Sequence, residues 1–242
     1  MKYLKKYKLF ESVNEQEIHD TCKKYRIENY TINSDLSIDV DGNVNLYNKD
    51  LRKLPLNFRN VSNFYCSNNN LTILEGAPTK VGGDFYCEYN KLTSLEGAPI
   101  SVGGNFYCDN NNLTSLEGAP SSVGGSFNCF NNNLINLKGA SSQVGDNFYF
   151  YNNNLTSLEG LEWKSFNRID LRNNPVYEIV KDWINNEDKI DLIEYFIDMN
   201  VIQEGDDKPK LVIARLEAFH DDVEVEVKRN FKGVKKNYEI IK

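Results

Sequence analysis

An α/β solenoid is predicted by three features of this 242-residue chain. Cys66, Cys87, Cys108 and Cys129 recur at a spacing of 21 residues. Around each cysteine one phrase returns: a Phe two residues before it, an Asn three residues after it, then Leu, and in the fuller copies LTSLEGAP and VGG. The phrase spans Val44 to Val176, far longer than one strand or helix. A fixed period in this range is the signature of stacked supersecondary units that bury a continuous core between neighbours.

One repeat explains the local structure. Phe85 and Cys87 alternate with Asp84, Tyr86 and Glu88, the period of a short strand with one buried face. Asn90 follows where the chain must leave the strand, and buried backbone there needs a side chain to hydrogen-bond it. Asn69, Asn90, Asn111, Asn132, Asn153 and Asn174 hold that place in successive copies and predict an asparagine ladder. Leu71, Leu92, Leu113, Leu134 and Leu155, with Leu74, Leu95, Leu116, Leu137 and Leu158, predict parallel aliphatic columns. The expectation is a right-handed solenoid with one parallel, concave sheet of about seven short strands. Its convex returns are expected to be irregular, with each VGG a tight bend packed on its neighbour.

The repeat resembles the leucine-rich repeat, whose LxxLxLxxNxL pattern is met here with Phe and Cys in place of the two strand leucines. It is similar to the short bacterial and viral kind, in which NxLTxL leads into a proline-containing return. The GAPxxVGG variant and the opening KLFESVNE resemble proteins of tailed phages and large viruses. The resemblance implies a solenoid fold and a phage or viral accessory protein, and solenoids of this kind carry many functions.

Outside the repeats, residues 1–43 are expected to cap the amino-terminal end. Ser12 with Glu15 reads as a capping box for a helix over 13–25, with Ile18, Cys22 and Tyr25 on one face. Ile38 and Val40, then Asp41 and Gly42, then Val44 and Leu46 read as two strands around a DG hairpin. Residues 44–176 are the repeats. The first is degenerate, with Lys49 where Asn should be, and the second is one residue short between Val61 and Phe64. Residues 177–242 are expected to form a helical carboxy-terminal cap and a basic tail. Val176 to Trp183, Glu187 to Met199 and a segment from Pro209 carrying Val212, Leu216 and Phe219 are its predicted helices.

Composition narrows function. A net charge of -7 argues against a general nucleic-acid binder. The sequence lacks the run of 18 or more apolar residues that a membrane span needs, and the lysine-rich Met1 to Phe10 is not followed by an apolar core. A cytoplasmic protein is expected. One Cys per turn forms a line, so the four thiols do not converge as zinc ligands must, and they read as buried core thiols. His19 and His220 stand outside any triad context, and His220 with Asp221 and Asp222 reads as a polar helix end. The glycine pairs precede no GK[ST], so no phosphate loop is expected. The segment Asp39 to Asn43 has the look of a calcium loop without its closing Glu, since Asn48 stands there. The basic run Lys228 to Lys236 reads as solvated surface. No catalytic residue, metal or cofactor is assigned.

The outward face of the strands is the remaining candidate. The residue between Phe and Cys is Tyr65, Tyr86, Tyr107, Asn128, Tyr149 and Asp170 in successive copies. The outward residue after Cys is Ser67, Glu88, Asp109, Phe130, Tyr151 and Arg172. Tyrosine is amphipathic, loses little entropy when fixed and is enriched at interface hot spots. Tyr65, Tyr86, Glu88, Tyr107, Asp109, Phe130, Tyr149 and Tyr151 are therefore read as a surface for a basic or mixed protein partner. The competing reading has the rings stack on each other as scaffold. The functional expectation is a non-enzymatic protein-binding module, phage or viral by resemblance, acting on a host protein. The alternatives are the substrate-recognition part of a ubiquitin-ligase effector, whose catalytic Cys has no counterpart after Cys129, and a virion component.

Overall fold

The computed structural model describes residues 14–161, 166–181, 184, 196–197, 201–203, 205, 208–212, 215–216, 219 and 237–241. Helix α1 (Glu15–Tyr25) buries Ile18 and Cys22 in the hydrophobic core. Its cap is Asn14, whose Oδ1 accepts the Glu17 amide at 2.9 Å, while the Glu17 carboxylate accepts the Asn14 amide. The expected Ser12–Glu15 box is thus displaced by two residues, and Ser12 itself lies outside the described residues. The chain then forms β1 (Tyr30–Ile32), β2 (Ile38–Val40) and β3 (Val44–Asn45).

From here two short strands alternate in every turn. They are β4 (Phe58–Val61), β5 (Phe64–Tyr65), β6 (Lys80–Val81), β7 (Phe85–Tyr86), β8 (Ser101–Val102) and β9 (Phe106–Tyr107). They continue with β10 (Ser122–Val123), β11 (Phe127–Asn128), β12 (Gln143–Val144), β13 (Asn147–Tyr149) and β14 (Arg168–Asp170). Sheet A runs β1-β2-β4-β6-β8-β10-β12, and sheet B runs β14-β13-β11-β9-β7-β5-β3, each with seven strands. Apart from the antiparallel β1–β2 pair, all pairing in both sheets is parallel, giving a β-solenoid of about six turns.

Sheet A corrects the expectation of irregular returns. The residues before each glycine pair are extended and pair in register, Val81 with Val102 and Val102 with Val123. Their alternation was hidden by brevity, since only the Val of each pair is buried. The glycines turn the chain from sheet A to sheet B where neighbouring turns almost touch: a Cβ at Gly103 would run into the Gly82 carbonyl oxygen.

The DG hairpin is also corrected. Ile38–Val40 belongs to sheet A and Val44–Asn45 to sheet B, so Asp41 and Gly42 form a solenoid corner, with the Ser62 amide donating to the Gly42 carbonyl at 2.8 Å. The hairpin is β1–β2, closed by the Asn33 amide on the Ser37 carbonyl at 2.8 Å. Asp39, the first residue of the calcium-like stretch, is held by Arg59 and by Asn60.

The core is a set of columns. Phe64, Phe85, Phe106, Phe127 and Phe148 are all fully buried, as are the two leucine columns from Leu71 and Leu74 onward to within 1%. Beside them run Cys66, Cys87, Cys108 and Cys129, free thiols that burial pushes up in pKa at Cys66, Cys87 and Cys108. Beyond the repeats, α2 (Tyr177–Val180) lies within the first predicted cap helix, and Phe196 and Ile197 are helical within the second. The predicted helix from Pro209 does not start there. Lys210–Val212 is a strand (β16) between β15 (Ile202–Gln203) and β17 (Glu239–Ile241), and among the described residues that follow, Arg215, Leu216 and Phe219 are helical. Leu211 and the β-branched Val212 suit a strand, and Pro209 suits a strand entrance as well as a helix start. His220, Asp221, Asp222 and Lys228 to Lys236 lie outside the described residues. Among the described residues no helix is long and apolar enough to cross a membrane.

Candidate binding surface on sheet B

A strand in register with its neighbours carries equivalent side chains into rows along the sheet. Sheet B therefore presents two outward rows. The first holds Tyr65, Tyr86 and Tyr107 as a continuous stack, with ring centroids 4.9 and 4.6 Å apart and planes within 14°. Asn128 interrupts it: this side chain is only 8% exposed, and Tyr149 stands on the far side, paired in register with Asn128. Tyr86 donates its hydroxyl to Asp84 Oδ2 at 3.2 Å, and Asn147 Nδ2 donates to the Tyr149 hydroxyl at 3.2 Å.

The second row begins one turn earlier than the sequence reading had it, at Tyr47, which is 53% exposed. The degenerate first repeat concealed it. Ser67 follows and is buried, then Glu88, then Asp109, which is only 4% exposed. Phe130 and Tyr151 stack face to face at 4.4 Å, and Arg172 places its guanidinium 6.0 Å from the Tyr151 ring centre. All eight residues expected at the surface thus lie on one sheet face, though Asp109 is sunk into it.

Asp170, Glu88 and Asp109, three acids of this face, differ in what surrounds them. Arg172 grips Asp170 through two nitrogens, with Nε to Oδ1 at 2.9 Å. Burial works to raise the Asp170 pKa, but these hydrogen bonds hold it below the usual aspartate range. Glu88 and Asp109 have no ion-pair partner among the described residues. Burial pushes both above the usual carboxylate range, and the neighbouring Asp109 charge adds to the rise at Glu88. Oε2 of Glu88 is buried and accepts no hydrogen bond, while Asp109 Oδ2 accepts Asn110 Nδ2 at 2.7 Å. Burial likewise raises the phenol pKa of Tyr86, Tyr107 and Tyr151, so these hydroxyls are neutral donors at physiological pH.

Behind the face, the asparagine ladder fixes the rows. Nδ2 of Asn111 donates to the carbonyls of Cys87, Cys108 and Asp109 at 3.1, 3.1 and 3.2 Å, and its Oδ1 accepts the Leu92 amide at 3.0 Å. A second asparagine row, which the sequence reading missed, occupies the residue just before every ladder position but Asn90, where Tyr89 stands. Asn68, Asn110, Asn131, Asn152 and Asn173 adopt left-handed φ values of 52–59°, where Asn is tolerated far better than other side chains. Their amides link Asn131 to Asn110, Asn152 to Asn131 and Asn173 to Asn152 at 2.9, 2.7 and 2.6 Å. The signal for it was present, as a run of two or three Asn in most copies.

Among the described residues no group of three or more His, Cys, Asp or Glu is arranged to hold a metal. Comparison with protein families, curated proteins and solved structures returned no match.

Proposed function

We propose that this chain is a non-enzymatic protein-binding module whose partner docks on the outward face of sheet B. The observation that carries the reading is the row Tyr65, Tyr86 and Tyr107, three half-buried rings stacked at 4.6–4.9 Å beside two desolvated carboxyls. Stacking uses the ring faces, which gives the scaffold reading its share. The hydroxyl edges still line the sheet surface, held in place before any partner arrives, and rigid amphipathic side chains lose little further entropy on binding. The leucine-rich-repeat assignment and a phage or viral setting in a host cytoplasm belong to the same proposal. The asparagine ladder and the leucine columns support the former, and the GAPxxVGG phrase supports the latter.

The test is capture from host lysate by the wild type and by a variant with Tyr65, Tyr86, Tyr107 and Tyr149 changed to Ser, with folding checked by circular dichroism. A protein retained by the wild type and lost from the folded variant is the expected result. Equal capture by both overturns the reading and leaves the tyrosines as scaffold.

A further inference from the structure

Resting on that reading, we infer that the centre of the face is a socket for one guanidinium or ammonium side chain of the partner, seated between Asp109, Glu88 and the open side of the Phe130 ring. One end of the face already shows a cation shared between a ring of the second row and a neighbouring acid. At the end of the second row a cation, Arg172, lies over Tyr151 and is hydrogen-bonded to Asp170. Tyr151 in turn covers one side of Phe130. On the other side of Phe130 the neighbouring turn presents Asp109 at the equivalent position, and the turn beyond that presents Glu88. The stacked pair Phe130 and Tyr151 therefore has a cation at one end and an acid at the other, and the acid end has no cation among the described residues.

The acids argue for charge complementarity. Asp109 is 4% exposed, and Oε2 of Glu88 is buried without a hydrogen-bond donor. An unpaired carboxylate in such surroundings is unfavourable unless a cation reaches it. The aromatic walls add the attraction of a ring face for a cation, and Tyr107 and Tyr149 flank the buried Asn128 beside the socket. Arginine fits better than lysine, because its planar fork can stack on Phe130 while bonding a carboxylate.

The experiment measures binding of a fluorescein-labelled Gly-Arg-Arg-Arg-Gly peptide, beside its citrulline counterpart, by fluorescence polarisation. The proteins compared are the wild type, the double variant Glu88→Gln with Asp109→Asn, and a control, Glu75→Gln with Glu96→Gln, which removes two exposed charges elsewhere. The arginine peptide is expected to bind the wild type at least about tenfold more tightly than the socket variant, and the control to differ from the wild type by less than about twofold. Equal losses in the two variants, or equal binding of the citrulline peptide, overturn the socket. The same socket variant is run in the lysate capture. A partner kept by it but lost from the tyrosine variant overturns the socket while leaving the face as the binding surface. A partner lost from both supports the two together.

Discussion

Oδ1 of Asn111 accepts the backbone amide of Leu92 at 3.0 Å, so each turn's ladder side chain completes the hydrogen bonding of the turn before it. With its three donated bonds, Asn111 satisfies four backbone groups at a site that is 8% exposed. Asn111→Ala leaves them unpaired and is expected to destabilise the protein by about 1–3 kcal/mol. Urea unfolding followed by circular dichroism measures this, and an unchanged midpoint contradicts the structural role given to the ladder.

Gly82 and Gly103 stand at the same place in successive repeats but meet different neighbours. A Cβ at Gly103 enters the Gly82 carbonyl, whereas a Cβ at Gly82 finds its nearest atom, the Val61 carbonyl oxygen, at 3.7 Å. Gly103→Ala is therefore expected to destabilise by about 1–3 kcal/mol through forced backbone separation, with Gly82→Ala close to neutral. Equal effects on the unfolding midpoint contradict the tight corner.

Tyr89 occupies the left-handed position (φ 54°) that Asn fills in every turn after it, and its side chain is 58% exposed. Tyr89→Asn places a tolerated side chain there, between Asn68 and Asn110. A stabilisation of about 0.5–1 kcal/mol is expected. A lowered melting temperature in the variant contradicts the idea that Tyr89 is strained.

The sequence made legible whatever repeats at a fixed spacing. Phe85, Cys87, Asn90 and Leu92 each stand in a column, and period alone marks a column. Two-residue strands such as Ser101–Val102 escaped, because alternation needs more residues than that to show. The first coil was misread for a related reason: Asp41-Gly42 is the local signature of a hairpin, and only pairing of Ile38 with Phe58 in the next turn reveals a corner. Lys210–Val212 failed because a three-residue strand owes its form to its partners, Gln203 in the preceding strand and Ile241 far along the chain. On the surface, identity was legible and depth was not. Asp109 and Glu88 read as exposed flanks of the tyrosines, and their burial comes from neighbouring turns that no single repeat contains.

The acids of the face give stability a pH dependence of opposite sign at two places. Glu88 has its pKa raised above the ordinary 4.5, chiefly by burial, so the folded state favours its protonated form. Its contribution is fully present below the ordinary value and is lost as pH rises through the raised one. Glu88→Gln removes the ionisation, so the variant is expected to melt above the wild type at pH 7, by about 2–4 °C for each kcal/mol relieved, and level with it near pH 4. Asp170, held below the ordinary 3.8 by Arg172, has the reverse sign: its contribution is present above that value and fades as pH falls through the lowered one. Asp170→Asn is therefore expected to melt below the wild type at pH 7, with the gap closing toward pH 2. Thermal unfolding of the three proteins across this range measures both. If Glu88→Gln melts lower than the wild type at pH 7, Glu88 is already paired in the free protein, and the socket needs no cation from a partner.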